Sequence, residues 1–95
     1  MLIKAGVDIS RLEPGARHVL GQAQLVWPDE IVVTSTYEGN HDPSSLHYVN
    51  RAVDLRKPKG DAGYAKSIAD KLQAALGKAY FVLVEGECIH VQFNG

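Results

Sequence analysis

The residues with chemistry to offer fall into two short runs. The first is Ser45-Leu46-His47-Tyr48-Val49-Asn50-Arg51-Ala52-Val53-Asp54, and the second, far downstream, is Glu87-Cys88-Ile89-His90. Two imidazoles and one carboxylate, drawn from separate parts of a chain, make a three-ligand set that leaves zinc an open position for water. A metal held in this way brings the pKa of its water to about 7 and polarises a carbonyl. Glu87, ahead of His90, adds a carboxylate that can take a proton from water and pass it to a leaving amine.

An isolated histidine is more often an ordinary surface or core residue than a ligand, so the argument rests on the combination of His47, Asp54, Glu87 and His90. His18 has no partner in sequence and reads as a surface residue, and the Lys57/Lys59 pair reads as solvated. Cys88 reads most simply as a small buried hydrophobe.

The spacing resembles the M15 family of zinc peptidases, a group that includes D-alanyl-D-alanine carboxypeptidases, dipeptidases and L-alanyl-D-glutamate endolysins. The family pattern is S-x-H-x-x-G-x-A-x-D, followed later by an acidic residue three positions before a histidine. Ser45, His47, Ala52 and Asp54 match the first part, and Glu87 and His90 match the second. The resemblance extends from Ile31 to His90, with Thr34-Ser35 as the lead-in strand end.

It implies zinc on His47, Asp54 and His90, Glu87 as base, and a peptidoglycan stem peptide as substrate, with Ser45 and Arg51 near that substrate. The chain departs from the pattern twice. Asn50 stands in place of the usual glycine, and asparagine is the residue that best tolerates the left-handed conformation. Tyr37-Glu38 stands where many members carry an arginine that stabilises the substrate carbonyl. His41 is the preferred substitute, with Arg51 and Arg56 as alternatives.

These residues need elements to hold them. Pro14 follows the S-x-x-E spacing of Ser10 to Glu13 and sets a helix start, with Val19, Leu20, Ala23 and Val26 as its buried stripe and Trp27-Pro28 as its end. The β-branched run in Glu30 to Ser35 predicts a strand, and the turn formers of Tyr37 to Ser45 predict a surface loop. Arg51 to Leu55 alternates, with Arg51, Val53 and Leu55 on one face and Ala52 and Asp54 on the other.

Asp61 to Leu76 is a helix with Tyr64, Ile68, Leu72 and Leu76 at four-residue spacing and Gly77 as its stop. Ala79 to Val84 and Cys88 to Phe93 form a hairpin around Glu85, Gly86 and Glu87. Residues three apart in a strand face opposite ways, so Glu87 is expected in the turn and not within the strand that carries His90. The sum is a small single α+β domain spanning residues 1–95, a mostly antiparallel sheet with two main helices, which resembles the Hedgehog/DD-peptidase fold.

Composition agrees with one soluble domain: 95 residues, 45% hydrophobic and 22% charged. A net charge of −1 without a basic block argues against a nucleic-acid partner. A single cysteine allows no internal disulfide. No segment reads as a signal peptide or a membrane span, so synthesis in the cytoplasm, no membrane partner and a monomeric state are expected. Together with the lack of a wall-binding module, this fits a phage-type lytic peptidase acting on the cell wall. Two other functions compete: a zinc-retaining peptidoglycan-binding module without activity, and a cysteine peptidase built on Cys88.

Overall fold

The computed structural model describes residues 1–27, 30–35, 51–60 and 62–94. Among these residues five strands form one sheet. Strand β1 is Leu2–Ile3, β2 is Val32–Ser35, β3 is Ala52–Arg56, β4 is Tyr80–Glu85 and β5 is Cys88–Phe93, and their spatial order is β1-β2-β3-β5-β4. All neighbours pair antiparallel except β1 and β2, which run parallel. Helices α1 (Pro14–Val26) and α2 (Ala62–Leu76) pack on each other, α1 also against β5 and α2 against β4. The α+β class and the mostly antiparallel sheet with two helices are as the sequence predicts.

Period-two alternation decides which side chains face the helices. Val33, Val53, Leu55, Ile89 and Val91 point inward and meet Val19, Leu20, Ala23, Ile68 and Leu72, all buried. Helix α1 begins as its Pro14 dictates, and no side chain caps its N-terminus. Its stripe shifts slightly from expectation: Ala16 is buried, while Val26 is only partly so. Gly15 lets this helix approach the sheet, because a Cβ there would lie 2.3 Å from a ring carbon of Phe93. The Tyr80 hydroxyl donates to the Gly15 carbonyl at 2.7 Å and ties β4 to the same turn.

The free edge of β4 is closed by a side chain. The Gln73 amide nitrogen donates to the Tyr80 carbonyl at 2.8 Å, and its oxygen accepts from the Val82 N–H at 3.0 Å. Part of the edge is thereby paired as another strand would pair it. Helix α2 ends at Gly77, with φ +90° and an N–H donated to the Gln73 carbonyl.

Strand boundaries also differ from the sequence reading, and β4 includes Glu85, which was expected in the turn. Strand β1 is only two residues long, below the length at which alternation can be recognised, and Leu2 and Ile3 are both exposed. Strand β3 extends to Arg56, because Arg56 pairs with Cys88 at the end of the β3–β5 ladder. Asp61, the expected cap of α2, and the expected loop from Tyr37 to Ser45 lie outside the described residues.

Candidate metal centre

Asp54 and His90 are direct cross-strand partners in the β3–β5 ladder. Both side chains point away from the helices, since their neighbours Val53, Leu55, Ile89 and Val91 fill the core. The β3 backbone is held on its other flank as well, where the Thr34 hydroxyl donates to the Asp54 carbonyl at 3.2 Å. The alternation that puts valine inside thus puts the carboxylate and the imidazole together. Asp54 Oδ1 lies 3.0 Å from His90 Nδ1, with the side chains 15% and 12% exposed. Such low exposure strengthens the electrostatic interaction between them.

A short chain of hydrogen bonds selects the ring's protonation. The Gln92 amide nitrogen donates to Asn94 Oδ1 at 2.9 Å, which leaves Gln92 Oε1 to accept from His90 Nε2, also at 2.9 Å. With the proton on Nε2, a neutral ring presents its Nδ1 lone pair to a carboxylate oxygen. Two acceptors at 3.0 Å require a proton or a cation between them. Burial pushes the His90 pKa down, but the hydrogen bonds to Asp54 and Gln92 and the charges of Asp54 and Glu85 outweigh it, so the pKa stands above the ordinary histidine value.

The pair supplies two of the three ligand atoms that a zinc site of this kind would need. Two ligand atoms of a tetrahedral zinc ion at ordinary bond lengths are about 3.3 Å apart, so small side-chain rotations would open Asp54 and His90 to that spacing. The accepted Nε2 hydrogen bond from His90 to Gln92 is the kind of outer contact that fixes a ligating imidazole. Among the described residues no group of three His, Cys, Asp or Glu side chains could hold a metal ion. Of the ligands expected from sequence, the structure brings together Asp54 and His90. His47, with Ser45 and His41, lies outside the described residues.

Glu87 occupies the two-residue turn with Gly86, ahead of β5, as the face argument requires. Gly86 takes φ +42°, a left-handed value that suits such a turn. Lys57 latches it: the Lys57 N–H donates to the Glu87 carbonyl and its Nζ to the Gly86 carbonyl, both at 3.0 Å. The Glu87 side chain is exposed. A different carboxylate approaches the pair, with Glu85 Oε1 3.9 Å from His90 Nδ1.

Arg51, expected near substrate, forms an ion pair with Glu13. It points to the helix side of β3, where its Nε donates to Glu13 Oε2 at 2.8 Å and its guanidinium lies 5.9 Å from the Phe93 ring centre. Strand alternation is the reason, because Arg51 shares its face with Val53 and Asp54 does not. Arg56 shares the Asp54 face, is exposed, and lines an open pocket of about 440 Å³ with Leu2, Trp27, Val32 and Lys59.

Sequence reasoning missed Gln92 and Glu85. Both could have been found by extending the face that holds His90: Gln92 is two residues further along β5, and Glu85 is the partner of Cys88 across the hairpin. Cys88 is half-buried, and burial, followed by the charges of Asp54 and Glu85, pushes its thiol up to about 11. A thiol held neutral at physiological pH is a poor nucleophile, which argues against a cysteine peptidase.

No family model matches the chain, and neither the curated proteins nor the solved structures contain a match. Among the described residues no helix is long and apolar enough to cross a membrane.

Proposed function

We propose that the chain is a zinc-dependent peptidase of the M15 type that hydrolyses peptide bonds in peptidoglycan stem peptides and acts on the cell wall. His47, Asp54 and His90 would hold the metal, and Ser45 and His41 would lie near the substrate. The observation that supports this reading is the Asp54–His90 pair: a carboxylate oxygen 3.0 Å from an imidazole nitrogen, with the other ring nitrogen 2.9 Å from Gln92 Oε1. Zinc bound there supplies a Lewis acid for the scissile carbonyl and activates water. The chain's own groups orient the ligands through Gln92, keep the pair mostly out of solvent and provide a carboxylate on the β4–β5 hairpin for the proton of the attacking water.

A second reading, a zinc-containing peptidoglycan-binding module without catalysis, draws support from Arg51. This cation is engaged with Glu13 on the opposite face from Asp54, so it is not placed to stabilise a substrate carbonyl there. Arg56 remains on the Asp54 face for that task.

The test is zinc content together with hydrolysis of isolated peptidoglycan, for the wild type, Asp54→Asn and His90→Ala. One zinc per chain with hydrolysis, both lost in the variants, is the expected result. Stoichiometric zinc without hydrolysis selects the binding module, and no zinc affinity overturns both readings.

A further inference from the structure

We propose that the open pocket beside β1, β2 and the end of β3 binds a small monocarboxylic acid with an apolar tail. The inference is independent of the peptidase reading, because neither Asp54 nor His90 lines this pocket. Its volume of about 440 Å³ lies within the range of small-ligand sites.

Strand alternation builds the apolar wall. Val33 and Leu55 are buried on the helix side, so Val32 and Arg56, each one position away, turn to the other side. Leu2 is the register partner of Val32 and joins it in the pocket, with the almost fully buried Trp27 behind them. Leu2 itself is 56% exposed, and a bound apolar tail would shield it from water.

The rim is basic. Arg56, Lys57 and Lys59 stand within four positions of one another along it. Glu30, which also lines the pocket, is engaged by the Met1 amine at 2.9 Å, and Lys57 Nζ is held by the Gly86 carbonyl. Among the described residues Arg56 and Lys59 make no ion pair, so both charges are open to a ligand.

The donors favour a carboxylate over a phosphate. Phosphates are commonly cradled by successive backbone N–H groups, and this segment is poor in them: the Lys57 N–H is given to the Glu87 carbonyl and Pro58 has none. A carboxylate is satisfied by the two parallel donors of one guanidinium. Arg56 supplies that fork and Lys59 a second positive charge, while the tail lies along Leu2 and Val32 toward Trp27.

Trp27 is the chain's single tryptophan, so its emission reports on the pocket without a label. The experiment titrates the full chain with hexanoate, hexanamide, acetate and inorganic phosphate, following that emission and, independently, the backbone amide shifts by nuclear magnetic resonance. Hexanoate should bind saturably, with shifts gathered at Leu2, Val32, Arg56, Lys57 and Lys59. Hexanamide, which keeps the tail without the charge, and acetate, which keeps the charge without most of the tail, should each bind more weakly by about tenfold or more. Arg56→Gln should weaken hexanoate by about tenfold, the usual loss of a charge-assisted hydrogen bond. Lys71→Gln removes the same charge from an exposed position on α2 and should change nothing.

Absence of saturable hexanoate binding by both measures, or shifts gathered elsewhere on the surface, would overturn the proposal. Equal affinity for hexanamide would remove the carboxylate from it. Phosphate binding as tightly as hexanoate would reduce the pocket to a plain anion site, and equal losses in Arg56→Gln and Lys71→Gln would reduce it to an effect of net charge.

Discussion

Gln92 decides which nitrogen of His90 meets Asp54. Its Oε1 accepts a hydrogen bond from Nε2 at 2.9 Å, and Nδ1 is left to face the carboxylate at 3.0 Å. A proton would bridge the gap when His90 is protonated, and in a zinc form the ion would take that place.

A metal bound there would compete with the proton, and the competition would have a sign. The folded pKa of His90 lies above its ordinary value, so the pair contributes stability that is fully present below the unfolded pKa of about 6.5 and is lost as pH rises through the folded value. Thermal unfolding with chelator present should give a midpoint that falls from about pH 6 to about pH 9, less so in His90→Gln. Stabilisation by added zinc should grow over the same range, because a ligating Nδ1 must be unprotonated. Parallel slopes with and without zinc would count against the shared position.

Gln92→Ala removes the acceptor on Nε2 while leaving Asp54 and His90 in register. Zinc affinity should drop by about tenfold to a hundredfold, the usual consequence of losing an outer contact to a ligating imidazole. Competition with a chelator reads this directly. An unchanged affinity would mean that the ring is oriented by something other than Gln92.

Cys88 should be slow to react. With its thiol pushed up to about 11, the thiolate fraction at pH 8 is roughly a hundredfold below that of free cysteine, and alkylation by iodoacetamide should slow accordingly. The rise in absorbance near about 240 nm on thiolate formation offers a second measure, with a midpoint well above the free value. A midpoint near the free value would show that neither burial nor the Asp54 and Glu85 charges act on it as the geometry implies.

Gln73→Ala should destabilise the fold without touching the site. It deletes two partly buried hydrogen bonds to the β4 backbone and leaves the Tyr80 carbonyl and the Val82 N–H unpaired, for a loss of about 1–3 kcal/mol. Denaturant unfolding measures that loss. The opened edge should also promote self-association at high concentration, and sedimentation that stays monomeric would argue that the remaining β4 edge is protected in another way.

Most of the fold was legible because its signals are periodic. The four-residue repeat of Tyr64, Ile68 and Leu72 marks α2, and Pro14 marks the start of α1. The alternation of Ile89, Val91 and Phe93 against Cys88, His90 and Gln92 marks β5. What was not legible has a physical reason in each case. Two residues of β1 are too few to show a period. The Gly15 contact with Phe93 depends on how closely α1 approaches the sheet, which no local pattern encodes.

The site divides in the same way. Asp54 and His90 follow from spacing and are register partners, and Gln92 follows from the alternation of β5, two residues beyond His90. Only Glu85 owes its place to the ladder, and its approach to His90 cannot be inferred without knowing which strands are neighbours. Arg51 sits where the alternation of residues 51–55 puts it, on the face opposite Asp54 and toward Glu13.

Asp54 and His90 are separated by 36 positions along the chain, and α2 and β4 lie between them. Their meeting requires the closure of a long loop, whose entropic cost falls due before the β3–β5 contacts can compensate for it. An ion that binds across this seam would recognise only molecules whose last strand has already docked, and would slow their unfolding by holding shut the ladder that closes over the greatest length of chain. A nascent or cleaved chain lacking β5 would carry one half of the clasp and nothing to fasten it to.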